Sequence, residues 1–364
     1  MSTKTDSSIC IRQFDTIDIK DSFFDTLKTS YVEFEDWFNR KGEQGESAYV
    51  VYSDSGELNA FLYLKIEKGP LVDINPILNV EKCLKVGTFK IDAHGTRLGE
   101  RFVKIIADTA LNNGLRHAYV TVFPEHESLI RILETFGFKK CATKKTQNGI
   151  EDVYIKDMNY QTGDILLDYP MVDTRGRNKW LLGIFPDFHT SLFPDSKLKT
   201  ESGTIIQDLS HTNSIHKIYV GFAMSFRQFK PGDCVVVYRC QAKASEESAW
   251  FKSVATSLCV VEEVRPKKSF LNKDDFIKYC MKNSVFTVDG LSDMFNMNKR
   301  TELFAIKMTY NLAFPKRPNL KSLVESEAVP HPKTGVYYGL MKLNDMQFKT
   351  ILDLGNVNAS FVIY

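Results

Sequence analysis

The chain has 364 residues, 43% apolar and 25% charged, a balance that excludes disordered, collagen-like and coiled-coil chains. At roughly 100–200 residues per domain, the length implies two domains. Forty-seven Lys and Arg against 45 Asp and Glu leave a net charge of +2, with no bulk attraction for nucleic acid or membrane.

Ile9 to Ile17 alternates like a strand. Asp21 then offers an N-cap for a helix over 22–41, whose Phe23, Phe24, Leu27, Tyr31, Phe34, Trp37 and Phe38 recur at three and four. Strands follow over Ala48–Tyr52 and Ala60–Ile66, joined by the hairpin-like turn SDSGELN, and then over Cys83–Ile91. A polar turn, DAHGTRLG, opens a helix carrying Leu98, Phe102, Ile105, Ile106 and Ala110, which Asn113-Gly114 ends. Ala118–Phe123 reads as a strand and Glu125–Phe136 as a helix closed by Gly137. Strand, helix, strand, helix requires a parallel pair joined by a right-handed crossover, and a hairpin over about 141–160 closes an α/β domain.

Residues 161–217 have little periodicity and form a connecting segment between a domain over 1–160 and one over 218–364. The last stretch is strand-rich: KIYVGFAM, then KPGD feeding CVVVYRCQA, then KSVATSLCVVEEV and ELFAIKMTYNLAF. Helical runs are few, KDDFIKYCMKN and Leu343–Leu354, so a small barrel or sandwich is expected. Residues 1–160 are net −3 and the remainder +5, which permits a polyanion-binding second half. The seven cysteines form no CxxC pair, no His, Cys or carboxylate set has metal spacing, and no uncharged apolar run of about 18 residues occurs. The expectation is a cytosolic, reduced chain with no metal and no membrane span.

A strand that enters a glycine-bearing turn and then a helix N-terminus is an anion site, because unpaired N–H groups and the helix dipole point at the ligand. Gly95 and Gly99 would admit a diphosphate and Arg97 would add charge, although the spacing is neither GxGxxG nor the GK[ST]-ending loop. The alternative is that these glycines only shape a turn.

Taken together, the strand VGTFKI, the turn His94-Gly95-Thr96-Arg97-Leu98-Gly99, the strand AYVTVF and the helix ending Phe136-Gly137-Phe138 resemble the GNAT family of acyl-CoA-dependent N-acyltransferases over about residues 9–158. The resemblance implies a mixed sheet with helices on both faces, acetyl-CoA as co-substrate and an amine acceptor. It assigns the pantetheine arm to the main chain of Val86, Gly87, Thr88 and Phe89, and the diphosphate to His94 through Gly99. Two departures stand out: His94 and Arg97 replace the Arg or Gln and the first glycine of [R/Q]xxGx[G/A], and Leu133 stands where many members carry a tyrosine acid. Glu125, His126 and Glu127 are the candidate bases, with an ordinary helix start as the alternative. His126 also occupies the place of an asparagine that can contact the coenzyme. Tyr119 and Tyr154 are substitutes for the missing acid or else packing residues, and His117 is structural.

Pro231-Gly232-Asp233 before a strand ending Tyr238-Arg239 resembles the PUA-like barrels, including ASCH and EVE domains, over about 218–364. That resemblance implies RNA or modified-base binding. Candidate nucleic-acid residues are Arg175, Arg177, Lys179, Trp180, Tyr238 and Arg239, with Tyr219, Phe226, Phe188 and His189 as further candidates. For each the alternative is core packing, and for His189 a satisfied buried imidazole. The leading expectation is an acetyl-CoA-dependent N-acetyltransferase acting on a primary amine on or near RNA. A small-molecule or protein amine acetyltransferase with a scaffold barrel, and a non-catalytic nucleic-acid-binding regulator with a degenerate first domain, remain alongside it.

Overall fold

The alternating N-terminal run forms β1 (Cys10–Gln13), and Asp21 caps a 3₁₀ turn, Ser22–Phe24, by accepting Phe23 N–H at 2.8 Å. The single helix expected over 22–41 is broken. α1 (Asp25–Ser30) and α2 (Phe34–Glu43) are separated at Tyr31, whose backbone turns extended (φ −132°, ψ 101°). Next come β2 (Ser47–Tyr52), β3 (Leu58–Lys68), β4 (Lys82–Ile91), α3 (Leu98–Asn112), β5 (His117–Val122), α4 (Glu127–Thr135), β6 (Lys139–Thr146) and β7 (Gly149–Asp157). The computed structural model describes residues 9–53, 55–92, 97–193, 214–241, 249–335 and 337–364.

These strands make one sheet in the order β1-β2-β3-β4-β5-β7-β6, antiparallel except for the β4–β5 pair. The side-chain alternation of strands puts helices on both faces. Phe61 and Tyr63 of β3 join Phe34 and Phe38 of α2 in one apolar cluster. Leu62 and its cross-strand partner Phe89 point the other way, where Phe89 meets Phe102 of α3 edge to face at 5.4 Å. At the end of α4, Gly137 adopts φ +80°, and a Cβ there would lie 2.1 Å from the Leu167 carbonyl oxygen, so the helix stop requires glycine.

The chain divides into two compact units, one up to Asp168 and the other beginning at Tyr169. The stretch treated above as a connector contributes β8 (Val172–Asp173), β9 (Lys179–Ile184) and α5 (Pro186–Leu192) to the second unit, followed by β10 (His216–Phe222), β11 (Cys234–Arg239), β12 (Val254–Pro266), β13 (Leu303–Ala313), β14 (Leu340–Leu343) and β15 (Val362–Ile363). Weak periodicity hid β9 because it is buried on both faces next to its parallel neighbour β11, and such strands do not alternate. The expected small barrel is, among the described residues, an open six-stranded mixed sheet in the order β10-β13-β12-β11-β9-β14. Trp180, Phe226, Val235 and Tyr310 belong to one of its apolar clusters, and the helices Lys273–Cys280 and Val288–Asn296 contribute to another.

The KPGD turn has a structural role. The Asp233 carboxylate is buried and accepts Lys230 N–H at 3.0 Å, Trp180 Nε1–H at 3.0 Å and Asn178 N–H at 3.1 Å. Gly232 sits at φ +90°, where a Cβ would lie 2.7 Å from the Arg177 guanidinium. Asp233→Ala leaves four donors, the Asn178 side-chain amide included, facing no acceptor, at a cost of about 2–3 kcal/mol for hydrogen bonds to a charged group. Urea unfolding followed by tryptophan fluorescence should show a lower midpoint with the slope unchanged, and an unmoved midpoint would remove this role.

Candidate functional site

Strands β4 and β5 pair over only three steps: Leu84 with Ala118, Lys85 with Tyr119 and Val86 with Val120. Beyond Val120, Thr121 and Val122 pair only with β7; beyond Val86, β4 pairs only with β3. At the parting point β4 carries a bulge: Tyr63 faces Thr88 and Leu64 faces Val86, which leaves Gly87 as the extra residue. A Cβ on Gly87 would lie 2.7 Å from the Tyr63 ring, so only glycine brings the backbone this close to it. The parted strands therefore present main-chain groups to each other with no ladder between them, and a backbone-like ligand can satisfy those groups.

A cavity of about 460 Å³ opens at this point. Val86, Gly87, Thr88 and Phe89 line it, as expected for the coenzyme arm, opposite Val120, Thr121 and Val122. Of the expected bases, His126 reaches the lining. Glu125 and Glu127 are exposed and do not line it, and Glu127 lies 3.9 Å from Arg131 on the surface of α4. Leu133 is fully buried and contributes no acid. Tyr119 and Tyr154 are buried as well and lie outside the lining; Tyr119 donates its hydroxyl to Glu67.

The most buried carboxylate lining the cavity is Glu151 of β7, which was not among the candidates read from the sequence. It is 4% exposed, and its Oε1 accepts the Tyr31 hydroxyl at 2.8 Å and the Thr121 hydroxyl at 3.2 Å. Among the described residues no hydrogen bond is made to its Oε2 and no cation lies within ion-pair distance of it. A buried carboxylate without a countercharge is costly and is relieved by a cationic ligand. Burial, and then the Glu151 charge, hold the Tyr31 phenol well above its usual range, so it stays a donor. Tyr31 reaches Glu151 because the chain leaves the helical path there, and a periodicity that treated it as one more apolar position concealed this. The Tyr63 hydroxyl is buried without a hydrogen-bond partner, and burial, then the Glu46 charge, keep it protonated.

A second polar group lines the same cavity, where Glu67 takes the Tyr119 hydroxyl, Lys65 at 3.2 Å and Lys85 at 3.6 Å. Burial by itself pushes the Glu67 carboxyl up, but the Tyr119 hydrogen bond and the two lysines outweigh it and hold it below the usual carboxylate range.

At the expected diphosphate turn, His94, Gly95 and Thr96 lie outside the described residues. Arg97 caps α3 with φ +56°, the left-handed region that favours glycine, which accounts for the glycine usual in that place of the motif. Leu98 is buried, so only its main chain can face an anion. Gly99 has a packing reason: a Cβ there would lie 2.7 Å from Ile132 of α4.

The nucleic-acid candidates do not assemble into a basic and aromatic surface. Trp180 and Tyr238 are each 2% exposed, and Lys179 is buried with its ammonium on the Thr174 carbonyl at 2.7 Å and Asp345 at 2.7 Å. Exposed Arg175 pairs with Asp173 at 2.8 Å, Arg177 lies over the Gly232 turn, and Arg239 is half-buried at the end of β11. Phe226 belongs to the core, Tyr219 and Phe286 partly cover theirs, and Phe188 stacks on Phe286 at 5.0 Å. His189 is buried with Nε2 on Thr256 at 2.8 Å and Nδ1 unpaired, and burial keeps the imidazole neutral. Charge and rings close in sequence are spent on internal bonds, which a linear pattern does not reveal. Among the described residues no group of His, Cys, Asp and Glu is placed to hold a metal, and no helix is long and apolar enough to cross a membrane.

No protein-family model and no curated protein matches the chain. Among solved structures, the NatC complex bound to Gag peptide and CoA is similar over 41% of this chain and 97% of its own, at 14% identity and a TM-score of 0.29. Arabidopsis thaliana NAA60 in complex with acetyl-CoA is similar over 42% of this chain and 100% of its own, at 13% identity and a TM-score of 0.31. A GNAT-family acetyltransferase from Streptococcus agalactiae 2603 is similar over 41% and 95%, at 15% identity and a TM-score of 0.29.

The Glu67 cluster gives a pH dependence. A carboxyl whose folded pKa is depressed contributes stability that is complete above its unfolded value and is lost as pH falls through the folded value. Glu67→Gln should therefore lower the melting temperature at pH 7, and the gap from wild type should close as the buffer is taken below about pH 4. A gap that stays constant with pH would show that the carboxylate's charge is not what stabilises.

Proposed function

We propose that the first unit is an acyl-CoA-dependent N-acyltransferase acting on a primary amine. The observation that carries this reading is the buried, cation-free Glu151 in a cavity opened by the parting of β4 and β5 at the Gly87 bulge. The residues present fit the coenzyme's arm: main-chain groups over Val86–Phe89 have lost their partner strand on one side and Gly87 permits close approach. The diphosphate belongs at the N-terminus of α3, with the main chain of Leu98 and Gly99 and the Arg97 side chain.

When bound, acetyl-CoA supplies an acetyl group activated as a thioester. Glu151 draws the acceptor ammonium into the cavity through Oε2 and takes its proton, which leaves a neutral amine as nucleophile. Tyr31 and Thr121 fix the carboxylate through Oε1, so its free oxygen points to one place. The freed backbone N–H groups beside Gly87 polarise the acyl oxygen. The N–C bond forms as the C–S bond breaks. The Tyr63 hydroxyl stays a neutral phenol that can donate a hydrogen bond toward the departing sulfur, and the second proton shed by the nitrogen goes to that sulfur, so the coenzyme would leave as the thiol. Glu125 and Glu127 have no part in this scheme, and His126 stands at the rim. RNA presentation by a PUA-like second unit is left out, since the residues that would stack and bind phosphate are largely buried.

Acetyl-CoA should raise the melting temperature of the wild type and of Glu151→Gln alike, by mass action on the folded state. Turnover of a primary amine in Glu151→Gln should fall ~100- to 1,000-fold through kcat, the usual worth of a positioned base. Absence of any stabilisation by acetyl-CoA would remove the acyltransferase reading, and undiminished kcat would remove Glu151 from it.

A further inference from the structure

The acceptor side of the cavity is walled by α1, α2 and the link between them on one hand and by the β6–β7 hairpin on the other: Tyr31, Glu33 and Trp37 against Thr146, Asn148 and Glu151. These two walls are tied together. The Glu33 carboxylate accepts Asn148 Nδ2–H at 2.9 and 3.0 Å and Gln147 Nε2–H at 2.9 Å, Asn148 Oδ1 accepts Val32 N–H at 3.4 Å, and the Tyr31–Glu151 bond lies behind them. The hydrogen bonds from Asn148 and Gln147 hold the Glu33 carboxyl below its usual range, so the strap is made with the ionised form. An extended polypeptide laid between the link and the hairpin would have to break every one of these bonds.

The space left is limited. Ligand pockets run roughly 300–1,000 Å³, and at about 460 Å³ this one must also hold the reacting end of a thioester. The ammonium point, Glu151, lies on the strap's inner side, and the wall beside it is aromatic: Tyr31, Phe34, Trp37 and Tyr63. Exposed Arg40 and Gln44 lie at the cavity's outer margin. Resting on the acyltransferase reading, we infer that the acceptor is a free, compact primary amine with an apolar or aromatic body, and that the Glu33–Asn148 strap excludes polypeptide amines. Its ammonium sits on Glu151 and its body lies against the four rings, where burial of apolar surface and ring contacts favour it.

The experiment measures release of the coenzyme thiol by the full chain with acetyl-CoA and two sets of acceptors: phenylalkylamines and short alkylamines, and peptides with free N-termini or lysines. Thermal shift with acetyl-CoA is read in parallel for every variant. Wild type should use the compact amines with kcat/KM ~100-fold or more above the peptides. Asn148→Ala and, separately, Glu33→Ala should narrow that ratio by about tenfold, since specificity is a difference that the strap enforces against the larger acceptor. Two variants on opposite walls guard against one of them misfolding, and retained stabilisation by acetyl-CoA identifies the folded ones. Peptides used as well as amines by wild type, or a ratio unmoved in both variants, would overturn the inference while the coenzyme site stands. Coenzyme binding with no turnover of any compact amine would overturn it as well. A wild type indifferent to acetyl-CoA would take down the acyltransferase reading and this inference with it.

Discussion

The first unit turns on a failure of hydrogen bonding at one place. Two parallel strands that begin as an ordinary pair cease to be one after Val86 and Val120, because an extra residue on β4 changes which groups face β5. Backbone donors and acceptors in a sheet interior are seldom left without partners. Here the sheet gives up part of a ladder at its centre, and the gap becomes a slot whose natural occupant is another amide-bearing chain. Gly87 makes the arrangement feasible, since any side chain would strike the Tyr63 ring. The cavity, its aromatic wall and the access of a ligand to Glu151 all follow from that slot.

Glu151 illustrates how charge is managed around it. Of the other carboxylates of the cavity, Glu67 is paired with two lysines and a phenol, and Glu33, less buried than Glu151, accepts hydrogen bonds from two amides. Glu151 has only hydroxyl partners and is the least exposed of the three, so it keeps an unmet demand for a cation. Its position depends on the interruption of the first helix. Had 22–41 stayed one helix, Tyr31 would have remained on the helical path instead of turning toward β7. The same interruption brings Val32 and Glu33 to the β6–β7 hairpin, so one irregularity both orients a carboxylate and closes the pocket over it.

The second unit shows the opposite use of polar groups. Lys179, Trp180 and Arg175 carry the chemistry that a nucleic-acid surface would need, yet each is committed to an internal partner, Asp233 among them, that fixes a turn or a strand end. The Pro-Gly-Asp signature marks a turn whose aspartate knits β9 to β11.

The order of strands and helices in the first unit and the need for a parallel pair were legible in the sequence, because periodicities of two and near four and turn residues such as Gly137 are local properties of the chain; the choice of Val86–Phe89 came only with the family resemblance. The strands β10 to β13 were legible as long apolar or alternating runs, whereas the short β14 and β15 were not read at all and β9 was lost in a segment of little periodicity. The slot, the bulge, the pairing of Tyr31 with Glu151 across 120 positions and the Glu33–Asn148 strap were decided by tertiary structure alone. Glu125 and Glu127 were singled out because they stand at the start of α4, while the buried carboxylate of the cavity, Glu151, sits in a strand that reads as ordinary. Burial and the absence of a countercharge are relations between distant segments, and only the folded chain expresses them.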